Sequence, residues 1–271
     1  MSKHVPVRTV LAGAAIIALA GCGASGSGAT PDVSRGYGTP TGTSNAAASA
    51  ASAASNAASN AVVAPLSIPF PVTVGDTWVY QSTSNINGEK GTVTDRVVSA
   101  VPTPGGYQVT MSETADIGGS VSTAQPVYIF YPNGTVGYPV TQANGVTVVA
   151  GGGVRWPDAA GIASGRAYHS VRRILVQAGS SRYANADVAV QGAGTATVTV
   201  PAGTYRATVV DMTITTTLGN LTTTVEVKTW LTAAVGPVKS EVLTYAAGKT
   251  TLTTTEELLS FTKGVVTSDG S

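Results

Sequence analysis

Residues able to do chemistry are scarce in this chain of 271 residues, which has one cysteine, Cys22, and two histidines, His4 and His169. A lone cysteine cannot build an intramolecular disulfide framework, and two distant histidines offer no ligand cluster for zinc, copper or iron. No cofactor and no metal are therefore expected. The strand pattern places His169 on one face with Val171 and Arg173, a setting that fits a structural histidine better than a general base. No G-x-S-x-G elbow and no H-E-x-x-H helix occur. Gly21, Gly23 and Gly26 match G-x-G-x-x-G, but no strand precedes them. Gly248-Lys249-Thr250 resembles the end of a phosphate-binding loop, yet Leu243 stands where that loop needs its first glycine. Glu256 and Glu257 are neighbours on a strand, so they point to opposite faces and cannot share a substrate. The expectation is a non-enzymatic protein. A hydrolase assembled from scattered Ser, Asp and His169 is the alternative.

Two other groups of side chains suit binding. Trp78 and Tyr80 share one strand face, and Tyr128 and Phe130 share another, with Trp230 further along the chain. Aromatic residues so placed fit either a strand covered on both sides or a concave face around an apolar ligand. The arginines are uneven: Arg155, Arg166, Arg172, Arg173 and Arg182 fall within 28 residues, with Asp158 the only acid before Asp187. Such a cluster suits an anionic headgroup, for which Arg155, Arg166 and Arg173 are the candidates, or else a solvated rim.

Cys22 has a more specific reading. Lys3 and Arg8 precede an apolar run of 11 residues, Val10 to Ala20, which is far short of the roughly 20 a membrane-spanning helix needs. The run ends in Leu19-Ala20-Gly21-Cys22, which looks like a lipobox closing a secretory signal peptide over residues 1–22. The cysteine would then carry diacylglycerol as the mature N-terminus and anchor the chain to the outer face of a bacterial membrane. Gly23, rather than Asp, would favour the outer membrane where the host has two. Residues 23–64 are Gly/Ser/Thr-rich and then Ala-rich, and read as a tether reaching roughly 35 Å if flexible.

The elements that must position these residues begin at Pro65. From there to 262, Val, Thr, Ile and Tyr alternate in short runs bounded by Gly, Pro and Asn, which are strand and turn signals. Twelve strands are expected, over 76–84, 92–101, 106–114, 125–131, 134–141, 145–150, 168–177, 186–199, 205–218, 222–232, 235–245 and 250–261, with a long loop or short helix over 154–167. Asn133-Gly134 is the strongest hairpin signal. The reading is a single all-β antiparallel domain over 65–262, an open half-barrel or sandwich, followed by a tail over 263–271. Only 11% of residues are charged, 15 basic against 14 acidic, which removes the electrostatic case for nucleic acid.

Two stretches carry a resemblance. One is Pro71-Val72-Thr73-Val74-Gly75-Asp76-Thr77-Trp78-Val79-Tyr80; the other is Val200-Pro201-Ala202-Gly203-Thr204-Tyr205, followed by Trp230 and Val235-Gly236-Pro237-Val238-Lys239. Together they are similar to a TapB-like group of β-rich bacterial lipoproteins and, more loosely, to the LolA/LolB-like half-barrel carriers. Residues 85–195 are unmatched, and Pro237 replaces a larger apolar residue. The resemblance implies a lipid-anchored envelope protein, and the leading expectation for its function is that it binds or presents an apolar ligand or partner. It transfers no catalytic residue. A packed structural or interaction lipoprotein with no ligand is the competing expectation, and neither ligand nor protein partner is named by the sequence.

Overall fold

The computed structural model describes residues 72–264, apart from 86, 104–105, 138–139, 144–145, 151–152, 179, 219 and 247–248. The proposed signal peptide, Cys22, the tether and residues 265–271 lie outside the described residues. Fourteen strands form one antiparallel sheet. The first seven are β1 (Thr77–Ser84), β2 (Lys90–Thr103), β3 (Gly106–Ile117), β4 (Ser120–Phe130), β5 (Thr135–Gly137), β6 (Val140–Ala143) and β7 (Val146–Ala150). The others are β8 (Gly153–Arg155), β9 (Ala167–Ala178), β10 (Ser180–Val200), β11 (Gly203–Leu218), β12 (Leu221–Thr232), β13 (Gly236–Ala246) and β14 (Lys249–Thr262). A six-residue helix, α1 (Ala159–Ser164), stands between β8 and β9.

The fold is all-β and antiparallel, as the alternation predicts, and the sheet curls further than a half-barrel. β1 pairs with β14, and β3 pairs with β4 as well as with β2, so twelve strands close into a ring. β5 and β8 are appended to the end of β4. The ring is thinnest where β6 joins β4 through three residue pairs and β7 joins β9 through four. Two local expectations needed revision: the run 134–141 divides into β5 and the start of β6, and β8 forms within the stretch read as loop or helix.

Alternation decides which side faces in. Along β11, Met212, Ile214 and Thr216 are buried while Asp211, Thr213 and Thr215 are half-buried. Thr215 and Thr217 instead face Thr224 and Thr222, with hydroxyl pairs at 3.2 and 3.3 Å. The inner faces of the ring supply one continuous core, containing Trp78, Val97, Val109, Tyr128, Phe130, Val190, Met212, Val225 and Leu258.

Antiparallel neighbours send every turn to one of two mouths. The first mouth holds residues 72–76, the β10–β11 and β12–β13 turns, the segments 131–137 and 153–166, and Lys263 and Gly264, which follow β14. Asp76 ties the segment before β1 to the segment after β14 there. It is fully buried, and its carboxylate accepts the Thr73 N–H at 2.6 Å and the Gly264 N–H at 2.7 Å. Gly264 must be glycine, since a Cβ there would sit 2.2 Å from the Val74 carbonyl oxygen.

Candidate functional site

The first mouth is filled by two devices. One is a plug made by β5, β8 and α1. Asp158 starts the helix, its Oδ1 accepting the Gly161 N–H at 2.8 Å, and Gly165 ends it in the left-handed region at φ 62°. α1 rests on β10 at Gly192, where a Cβ would come within 2.5 Å of the Ile162 Cα. Val136, Val154 and Trp156 extend the core into the plug, and the Trp156 N–H donates to the Gly134 carbonyl at 3.0 Å. Gly134, as the Asn133-Gly134 signal predicts, takes a positive φ of 78°, and the Asn133 side chain accepts the Thr135 N–H.

The second device is the far end of the β10–β11 hairpin. A bulge between Gly192 and Thr195 sets two residues, Ala193 and Gly194, against Val209 alone, and Gly194 turns there at φ 84°. The buried face changes at this bulge, so Val209 and Val210 are both buried. The hairpin tip then reaches β14, three strands away, where the Ala202 N–H donates to the Leu258 carbonyl at 2.9 Å.

Between plug and hairpin lies a groove of about 710 Å³. Its walls are Pro132, Asn133 and Gly134 from the β4–β5 turn, Trp156, Pro157, Ala159, Ile162 and Ala163 from the plug, and Thr195, Thr208, Val210, Leu231 and Thr232 from the sheet. Most of that lining is apolar. Two charged residues, Arg155 and Asp158, line it as well, their side chains about half exposed and 3.6 Å apart. A half-open apolar groove of this volume is within the usual range for a small-molecule site.

The aromatic candidates lie elsewhere. Trp78, Tyr80, Tyr128 and Phe130 are 1%, 6%, 2% and 4% exposed and pack in the core. Trp78 Nε1 donates to the Val235 carbonyl and the Tyr80 hydroxyl to that of Pro237, at 2.5 and 3.1 Å. The two separate sequence motifs thus meet in space. Burial, together with Asp95 and Glu256, pushes the Tyr80 phenol well above its ordinary value, so it stays a neutral donor. Trp230 is half-buried, with the Lys239 ammonium 5.2 Å from its ring.

Of the arginines whose side chains are described, Arg155 alone lines the groove. Arg155 and Arg166 flank the Tyr168 ring at 5.1 and 5.3 Å. Arg173 covers Tyr183 at 4.0 Å, on an exposed stretch shared with Val171 and His169. The side chains of Arg172 and Arg182 lie outside the described residues. Glu256 is buried and accepts from the Ser240 hydroxyl, whereas Glu257 meets Lys239, so the two glutamates do point apart.

Sequence reasoning missed two things. The plug groove depends on long-range docking. The buried carboxylates Asp95, Glu113 and Glu256 were readable: Asp95 has the same parity as Val93 and Val97, and so had to face inward. Among the described residues, no group of three or more His, Cys, Asp or Glu side chains could hold a metal ion.

Comparison with known proteins agrees with the architecture. The profile of the DUF3108-like family matches residues 140–258. That span contains the second motif and part of the region the resemblance left unmatched, and the match does not single out the TapB-like group. The chain is similar in structure to a Bacteroides fragilis protein described as exported and having a YmcC-like fold. That match has 20% identity and a TM-score of 0.50, covering 72% of this chain and 98% of the other. A Parabacteroides distasonis protein described as a lipoprotein matches at 16% identity and a TM-score of 0.48, over 72% and 98% of the two chains. The lipoprotein YmcC of Escherichia coli matches at 13% identity and a TM-score of 0.39, over 74% and 90%. No curated protein matches the sequence.

Proposed function

We propose that this protein is a lipid-anchored, extracytoplasmic, non-enzymatic binding protein that holds an apolar ligand in the groove between the plug and the β10–β11 hairpin. The observation that carries the reading is the 710 Å³ groove walled by Trp156, Ile162, Val210 and Leu231 at one mouth of the ring. Cys22 is the proposed site of lipid attachment, becoming the mature N-terminus when residues 1–21 are removed. The descriptions of the Bacteroides and Parabacteroides proteins as exported or as a lipoprotein accord with that address. The anchor is the proposed link to the membrane, the outer membrane where there are two.

The test is native mass spectrometry of the intact acylated chain, extracted from its host's envelope in a mild detergent that is stripped in the gas phase. An extra mass released on denaturation is expected, and Ile162→Glu, which puts a charge in the groove wall, should abolish it. A mass equal to the acylated polypeptide alone, with nothing further released on denaturation, would overturn ligand binding. It would favour the second reading, an interaction lipoprotein with a self-filled interior, which has in its support the burial of Trp78, Tyr80, Tyr128 and Phe130. For the anchor, Cys22→Ser should move the protein from the membrane to the soluble fraction; retention at the membrane would count against lipidation.

A further inference from the structure

Resting on that reading of the groove, we infer that its occupant is a single-chain amphiphile with a zwitterionic head, a phosphate and an ammonium on one short linker. The volume suits one acyl chain with its head rather than a two-chain phospholipid. The head is specified by charge. Among the described lining residues two are charged, Arg155 and Asp158, which are of opposite sign and lie beside each other. Their mutual contact is long, 3.6 Å, with both side chains about half exposed, so little is lost when each exchanges the other for a ligand group.

Both are also held from behind. Arg155 stacks over Tyr168 at 5.1 Å, with Arg166 adding a second positive charge at the same ring. Asp158 is fixed through Oδ1, which caps α1, while Oδ2 points to Arg155. A phosphate would accept from the guanidinium and an ammonium would donate to Oδ2, giving two charge-assisted hydrogen bonds at the mouth of an apolar slot. An anionic amphiphile would satisfy Arg155 but set its charge against Asp158, and an uncharged one would leave the two groups to each other and gain no charge-assisted bond.

The intact chain would be titrated with three probes of one acyl length, each below its micelle concentration: a lysophosphatidylethanolamine, the free fatty acid and the monoacylglycerol. The zwitterion is expected to bind about tenfold more tightly than either, the value of one charged hydrogen bond. Asp158→Asn keeps a capping side chain and should remove only the preference over the fatty acid. Arg155→Gln should weaken the zwitterion and the fatty acid and leave the glyceride unchanged. Equal binding of all three probes, or tightest binding of the fatty acid, would overturn the head-group assignment while leaving a lipid-binding groove. Failure of all three to bind would overturn both.

Discussion

Asp76 shows how much one side chain can carry at the mouth of the ring. It is fully buried and accepts two backbone N–H groups, one from the incoming chain and one from the outgoing chain. Asp76→Ala leaves both amides without that acceptor, and should cost about 3 kcal/mol in urea denaturation. A loss below about 1 kcal/mol would mean that water replaces the carboxylate. Tyr80 supplies a test by pH. Its phenol is raised above 10.0 in the folded state, first by burial and then by Asp95 and Glu256, so the folded protein keeps that proton where the unfolded chain gives it up. Its contribution to stability is complete below pH 10 and is lost as pH rises above it. Alkaline unfolding should therefore be steep, and Tyr80→Phe should flatten it while weakening the protein at neutral pH through the lost bond to Pro237.

At the scale of elements, the plug is the part whose position is least local. Gly192→Ala would push a methyl carbon to within 2.5 Å of the Ile162 Cα. The expected result is about 2 kcal/mol of destabilisation and a loss of ligand mass, because α1 is a wall of the groove. Unchanged stability would show that the helix sits on β10 loosely. The long strands were legible because Val and Thr alternate over enough residues to fix both the element and its face, as in β11 and β12. β8 was not legible: three residues, Gly-Val-Arg, carry no period, and they become a strand through pairing with β5. The groove was hidden for the same reason. Its parts lie at 132–134, 155–163, 194–195, 208–210 and 231–233, and only the sheet order brings them together. The aromatic pairs, by contrast, could be assigned to a face but not to a role, since alternation does not say whether a concave side is filled from within.

The whole molecule is a ring whose first and last strands are partners, so native pairing is complete only when β14 returns to β1. Contacts of such sequence separation make folding slow, in the millisecond-to-second range. They also predict one cooperative transition, because Trp78 on β1 and Trp156 in the plug belong to the same core. Single-tryptophan variants reporting from those two positions should share a urea midpoint, and an earlier midpoint at Trp156 would show that the plug opens as a separate unit. Closure has one more consequence, for how the gene could be written. A ring has no intrinsic first strand, and Thr73 and Gly264 are held to one carboxylate by Asp76. A short loop joining them, with the chain cut instead between Gly118 and Gly119 in the β3–β4 turn, would preserve every strand pair in a new reading order. In that arrangement the N-terminal leash would leave from the mouth opposite the groove, turning the barrel end for end with respect to whatever holds it.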